Sequence, residues 1–334
     1  MLTSKELTNM RTEGEWTQAE IALMASAVSR APSVHNTQPW VMETAGRTAA
    51  LYERFDVRLP QHDPAGRDRL ISCGAAVTNL RLAVRRLGWS ERWTQFGNPP
   101  RPDEVARVTA LDRVAPTSAE LTLFHAISAR RSHRGRFAGP AAAADVAALK
   151  HASTATGLSA HVVHGSELGA LASRLRYAAT VLQGDRAYLR ELTGWTAEMA
   201  LPDGIPLANL PAGALPWTGL VNATTHIPDD ETLAARLGEE ALLVLITVGD
   251  GRSDHLHAGM ALQEVWLAAT ARGLAASVLT QPLHLHEVRA GLIEAMELPG
   301  YPQAILRVGQ PADAVPPTPR RPLSEVVRAK GSPS

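Results

Sequence analysis

Two short segments of the chain carry side chains suited to chemistry. Ala129-Arg130-Arg131-Ser132-His133-Arg134-Gly135-Arg136-Phe137 gathers four arginines into nine residues. A guanidinium is planar, stays charged and donates hydrogen bonds in pairs, which suits a phosphate. A solvated basic surface, or arginines spent on salt bridges, would have the same composition. The second segment is Ala31-Pro32-Ser33-Val34-His35-Asn36-Thr37-Gln38-Pro39-Trp40. Pro32 and Pro39 stiffen its two ends. Ser33, Asn36, Thr37 and Gln38 lie between them, and an indole closes the stretch. Such a loop can present amide and hydroxyl groups to a flat polar ligand while Trp40 helps wall the site. The alternative is a capped turn whose Trp40 packs in the core.

Together these segments resemble the nitroreductase superfamily of FMN proteins, which carry an Arg-Arg-Ser-x-Arg stretch and a Pro-Ser-x-x-Asn-x-Gln-Pro-Trp loop. Here the Pro-Ser loop precedes the arginine stretch. That order and this chain length resemble the single-chain Acg-type branch of actinobacteria, whose members look like a nitroreductase dimer fused into one polypeptide. The resemblance implies that Arg130, Arg131, Ser132 and Arg134 hold the FMN phosphate, joined by Arg320 and Arg321 from the tail. It implies that Pro32, Ser33, Val34 and Asn36 meet the flavin ring edge. The turn Leu279-Thr280-Gln281-Pro282 matches the family loop at the flavin N5, so Thr280 and Gln281 join the expected site. No acid or base side chain is required, because the cofactor carries the redox chemistry and the protein orients and tunes it.

Other signals are weaker. His255-Leu256-His257 and His284-Leu285-His286 would each aim two imidazoles to one side of a strand, as metal ligands do. Both pairs adjoin predicted helix starts, where positions i and i+2 diverge, so no metal is expected. The chain lacks G-x-S-x-G, G-x-x-x-x-G-K-[ST], and a G-x-G-x-x-G following a strand, which argues against hydrolase, P-loop and Rossmann chemistry.

The elements that must position these residues follow from periodicity. Thr17-Gln18-Ala19-Glu20 and Thr117-Ser118-Ala119-Glu120 are capping boxes, each opening a helix that runs into one of the two segments. Leu70, Cys73, Val77, Leu80, Val84 and Leu87 form a helical stripe ending at Gly88, which places Cys73 in the core as a small hydrophobe. Strand pairs are predicted at 40–42 with 47–52 and at 89–96 with 105–111. Further helices are predicted at 141–151, 168–182, 258–272 and 287–296, and strands at 158–163, 275–279 and 304–308. Leu242 to Val248 reads as a central strand buried on both faces. Residues 195–228 hold Pro202, Gly204, Pro206, Pro211, Gly213, Pro216 and Gly219 and little periodicity, which suggests a lid. Trp195 and Trp217 in this insert either stack over a ligand or anchor the insert to the core. The prolines of 316–322 extend the tail and can carry Arg320 and Arg321 back across the body.

The expected fold is therefore α+β and nitroreductase-like, with mainly antiparallel sheets flanked by helices. Two related halves are expected at 1–115 and 116–334, the second carrying the insert and tail. The 334 residues are 45% hydrophobic and 20% charged with a formal net charge of zero, as in a soluble globular protein. Nothing in that balance suggests a nucleic-acid or membrane surface. The single cysteine, and the absence of an apolar leader pattern in residues 1–16, suggest a cytoplasmic protein. A fused dimer makes a monomer the natural expectation and leaves a homodimer open. In function the resemblance implies an FMN oxidoreductase in which NAD(P)H reduces the flavin, which then reduces a nitroaromatic, quinone or similar acceptor. The alternatives are a non-catalytic FMN-binding or storage protein with its lid closed, or a flavin-degrading or specialised biosynthetic enzyme.

Overall fold

The computed structural model describes residues 14–197, 202–211, 214–218 and 220–328. The polar segment before residue 14, and Gly213 and Gly219 of the insert, lie outside the described residues.

Both capping boxes form. The Thr17 hydroxyl accepts from the Glu20 amide at 3.2 Å and the Glu20 carboxylate accepts from the Thr17 amide at 2.8 Å. They open α1 (Gln18–Ser29). The chain then makes a hairpin of β1 (Trp40–Ala45) and β2 (Thr48–Glu53), turning through Gly46 at φ +55°, where a β-carbon would be strained. Helix α2 (Arg67–Arg86) follows and is buried along most of its length. Gly88, at φ +81°, ends it as expected. Strands β3 (Trp89–Gln95) and β4 (Glu104–Arg113) complete an antiparallel sheet in the order β1-β2-β4-β3.

The second capping box opens α3 (Ser118–Ala129). Next come β5 (Gly139–Pro140), α4 (Ala143–Ala155), β6 (Ser159–Val162), α5 (Leu168–Gly184) and α6 (Arg186–Trp195). The insert pairs β7 (Thr196–Ala197) with β8 (Ile205–Pro206) in parallel. Then follow α7 (Asp230–Leu237), β9 (Ala241–Thr247), α8 (Arg252–Ala271), β10 (Ala275–Leu279), α9 (His286–Ala295), β11 (Tyr301–Gln310) and the short α10 (Leu323–Val326). The second sheet is antiparallel in the order β10-β11-β9-β6, with β5 on β11. Its centre is the apolar run read as a buried strand, and Leu242 to Ile246 of β9 are all buried.

The two longest helices, α2 and α8, join the two sheets' cores and touch at a pair of glycines. A β-carbon on Gly74 would lie 2.0 Å from the Leu256 carbonyl oxygen, and one on Gly259 would lie 1.9 Å from that of Ile71. Only glycine permits this approach.

Three helices escape the apolar periodicity: α6, α7 and the four-residue α10. Helix α6 is short, and α7 is opened by the Asp229 side chain, which accepts from the Thr232 amide. Helix α8 begins six residues earlier than its apolar pattern indicates, because the Asp254 carboxylate accepts from the Gly251 amide at 2.9 Å and supports the first turn. His255 and His257 therefore lie inside a helix. No described helix is long and apolar enough to cross a membrane.

Candidate functional site

A cavity of about 530 Å³ lies between the first loop, the start of α2, the end of α3, the turn after β10, the insert and the tail. All the residues named from the sequence line it: Pro32, Ser33, Val34, Asn36, Arg130, Arg131, Ser132, Arg134, Thr280, Gln281, Arg320 and Arg321. Segments separated by up to 284 positions in the chain thus meet around one space.

The first loop is a 3₁₀ turn (Val34–Asn36) held from below. The Val34 amide donates to Ser72 Oγ at 3.1 Å, and Ser33 Oγ accepts from the Gln38 amide at 3.0 Å. His35, Asn36 and Gln38 all sit at positive φ (46°, 58° and 52°). Three non-glycine residues in the left-handed region over four positions store strain, which the surrounding contacts must outweigh. Of the two readings of Trp40, the structure takes the core one. The residue is 1% exposed, packs in the core beneath the first sheet and does not line the cavity. The indoles at the wall are Trp266 from α8 and Trp217 from the insert. Trp195 is not among the lining residues.

The arginines form a positive field without matching carboxylates. Arg130 caps α3, is 5% exposed and lies over the Trp266 ring at 4.7 Å. Its Nη2 donates to the Arg30 carbonyl at 3.3 Å, while Nε and Nη1 have no partner among the described residues. Burial, then the charges of Arg320, Arg131 and Arg134, push its guanidinium well below the ordinary arginine range. Burial likewise lowers Arg134 and Arg320, each to about 10. Arg134 Nη1 and Arg320 Nε are also buried without partners. The backbone of this stretch is pinned to β10 by the Ser132–Ala276 bridge and by the His133 amide, which donates to the Ala276 carbonyl at 2.9 Å. Among the described residues no carboxylate forms an ion pair with Arg130, Arg131, Arg134 or Arg320. Burying several cations without counter-charge is costly, and an anion in the cavity relieves that cost. Arg321 differs: it pairs with Asp203 and with Glu325.

Several polar residues of the loop and insert spend their side chains on contacts within the protein. Asn36 Nδ2 donates to the Gly204 carbonyl at 3.0 Å and the Pro319 carbonyl at 3.1 Å, while its Oδ1 accepts from Arg320 Nη1 at 3.0 Å. Gln38 Nε2 donates to the Pro202 carbonyl at 2.8 Å, and its Oε1 accepts from the Arg321 amide at 2.8 Å. Asn209 Nδ2 donates to the Pro316 carbonyl at 3.0 Å. First loop, insert and tail are thereby fastened into one wall.

The wall also contains residues outside the two segments and the turn after β10. His62 and Asp68 line the cavity, as does His35. Asp68 Oδ1 accepts from Arg67 Nη1 at 2.7 Å and Oδ2 from Thr280 Oγ1 at 2.5 Å. His62 Nε2 and His284 Nε2 lie 3.3 and 3.1 Å from Oδ2. Burial alone would raise the Asp68 carboxyl, but His284, His62 and Arg67 hold it well below the usual range. Burial, then His62, pushes the His35 imidazole well below its ordinary value.

The fold and this cavity define an α+β protein whose buried arginines line a space under an insert and a returning tail. The chain belongs to the nitroreductase family, whose model matches residues 97–310. It is 34% identical over 305 residues to the Mycobacterium tuberculosis protein Rv3131, covering 89% of this chain and 88% of the relative. It is 31% identical over 309 residues to the acg protein of the same organism, covering 90% and 93%. Both carry "NAD(P)H nitroreductase" in their names. Among solved structures, the FMN-dependent nitroreductase NfnB from Mycobacterium smegmatis, in complex with NADPH, aligns with a TM-score of 0.42 at 16% identity over 62% of this chain and 97% of that one. A Bacteroides fragilis nitroreductase with bound FMN aligns with a TM-score of 0.40 at 17% identity over 60% and 93%.

Proposed function

We propose that this chain is an FMN-binding oxidoreductase that takes reducing equivalents from NAD(P)H and passes them to a small acceptor such as a nitroaromatic or quinone. The observation that carries this reading is the set of Arg130, Arg134 and Arg320 donors, buried at one cavity without carboxylate partners. FMN offers the missing anion as its phosphate. Its flat ring matches the remainder of the wall, where Trp217, Trp266 and the Pro32–Val34 backbone supply surface and Gln281 Oε1 is a buried acceptor without a partner. When bound, FMN supplies the two-electron chemistry. Arg130, Arg131, Arg134 and Arg320 would hold the phosphate, and the fastened wall would exclude water.

A second reading is storage or sequestration of FMN. The contacts of Asn36, Gln38, Asn209 and Arg321 with insert and tail favour it, because they close the wall from two sides. One experiment separates the readings: an absorbance spectrum of the purified protein, followed anaerobically after NADPH and then NADH. Bleaching of a yellow protein by either donor supports the oxidoreductase. A yellow protein bleached only by dithionite supports sequestration. A colourless protein that also refuses added FMN removes both.

We also propose that the residues on either side of 115 are two nitroreductase-like halves in one chain. Each of the two larger sheets stays within its own half, each half opens with a capped helix, and the 20-residue helices α2 and α8 pack against each other between them. Such a chain is complete as a monomer, which sedimentation would show. We place it in the cytoplasm, on the basis of its single cysteine.

A further inference from the structure

The group formed by His62, Asp68 and His284 has no role in phosphate binding. It joins three distant places: the turn before α2, the first turn of α2 and the turn after β10. We propose that these three side chains bind one divalent transition-metal ion of the zinc type.

The ligand atoms His62 Nε2, Asp68 Oδ2 and His284 Nε2 all lie within 4.8 Å of one another. The side chains of His62 and Asp68 are each 2% exposed and that of His284 17%, so the group is largely withdrawn from water. The orientation of His284 is the telling feature. Its Nε2 is 3.1 Å from Asp68 Oδ2, yet among the described residues it makes no well-aligned hydrogen bond to that oxygen or to any other atom. Donor and acceptor sharing a proton point at each other; two ligands of one cation point at a common third position. His62 Nε2, 3.3 Å from the same oxygen, approaches from another side.

Ligand chemistry selects the class of ion. Two imidazoles and one carboxylate favour zinc and its first-row neighbours, whereas calcium and magnesium take mainly oxygen ligands. Metal sites also orient their ligands through a second layer of hydrogen bonds. Asp68 has one: Arg67 holds Oδ1 and the Thr280 hydroxyl donates to Oδ2. A three-residue set leaves one tetrahedral position for water or another ligand. Because His62 and Asp68 line the cavity, that position is within reach of its contents. Neither His255 nor His257 contributes; His255 is 3.0 Å from Asp250 and His257 packs against Trp93.

The proposal is independent of flavin binding and is tested separately. The full chain would be stripped with a chelator, dialysed and titrated with Co(II), following its visible absorption, with zinc content measured in parallel after equilibrium dialysis. We expect one equivalent per chain with a tetrahedral cobalt spectrum. That spectrum should be lost in His62→Ala and His284→Ala, and zinc should raise the melting temperature of the parent chain but of neither variant. Thr280→Val should weaken binding by about 10- to 100-fold. Should an alanine variant fail to fold by circular dichroism, His284→Gln replaces it. Binding well below one equivalent, or an equivalent retained in both histidine variants, would overturn the site. Retention of FMN alongside either failure would leave the oxidoreductase reading standing.

Discussion

At the scale of single residues, Arg130 decides the most. Each charged hydrogen bond to a phosphate contributes roughly 1.5–3 kcal/mol, so Arg130→Ala should raise the FMN dissociation constant about 10- to 150-fold. The same substitution removes a buried cation with two unpartnered nitrogens. The ligand-free protein should therefore melt at the same temperature or higher, while the stabilisation conferred by added FMN largely disappears. Calorimetry with and without FMN reads both. A drop in melting temperature of the ligand-free form would show Arg130 to be structural. The arginines and the Pro-Ser loop were legible in the sequence because each set is contiguous. Trp40 stayed open between wall and core because adjacency to the loop does not say on which side of a strand's first residue the side chain leaves; it leaves towards the core, and the wall takes Trp217 and Trp266 instead. His62, Asp68 and His284 could not be grouped in advance. Asp68 and Thr280, which touch, are 212 positions apart, and no local pattern encodes that pairing.

At the scale of elements, the crossing of α2 and α8 rests on Gly74 and Gly259. Their missing side chains let the helices approach until backbone meets backbone. Gly259→Ala should cost about 1–3 kcal/mol or more, since the Ile71 backbone cannot yield without moving α2. A fall in the urea midpoint at unchanged m-value would check it; an unchanged midpoint would mean the crossing is loose. The second capping box makes a prediction with a pH. The Arg85 guanidinium on Glu120, outweighing the effect of burial, holds that carboxyl at about 2 rather than 4.5. A carboxyl lowered on folding contributes stability above its unfolded value and loses it as pH falls towards the folded one. The Glu120 contribution should therefore be complete above pH 4.5 and vanish towards pH 2. Glu120→Gln should flatten that part of the stability curve, as acid titrations at fixed urea would show. Elements were legible where periodicity was long or a cap was explicit, as in α1, α2 and α3. They were not at α6 and α7, which flank the irregular insert and are opened by the single side chains of Asp185 and Asp229, or where α8 was nucleated by Asp254 ahead of its apolar stripe.

At the scale of the whole molecule, the wall is closed by contacts between remote segments. Arg321 pairs with Asp203 of the insert, and Asn36 binds insert and tail together. Asp203→Ala should leave the melting temperature close to that of the parent and speed the access of dithionite to bound FMN. Stopped-flow bleaching measures this, and an unchanged rate would show that the insert does not limit access. The insert was recognised by its prolines and glycines, but its anchors were not, since they are backbone carbonyls met by distant side-chain amides and the ion pair of Asp203 with the remote Arg321. The tail adds a consequence for the order of synthesis. Val327 bridges to Met42 and the Arg328 amide donates to the Met42 carbonyl at 3.0 Å, so residues 327 and 328 lie against a strand translated long before them. Arg320 joins Arg130, Arg131 and Arg134 at the cavity only after nearly everything else around it has emerged from the ribosome. Chains fold progressively during translation, and the first sheet can form early. If Arg320 holds the phosphate as proposed, cofactor capture, by contrast, waits until the region around residue 320 has emerged. A nascent chain arrested after β11 would hold most of the fold and yet remain unable to keep its ligand.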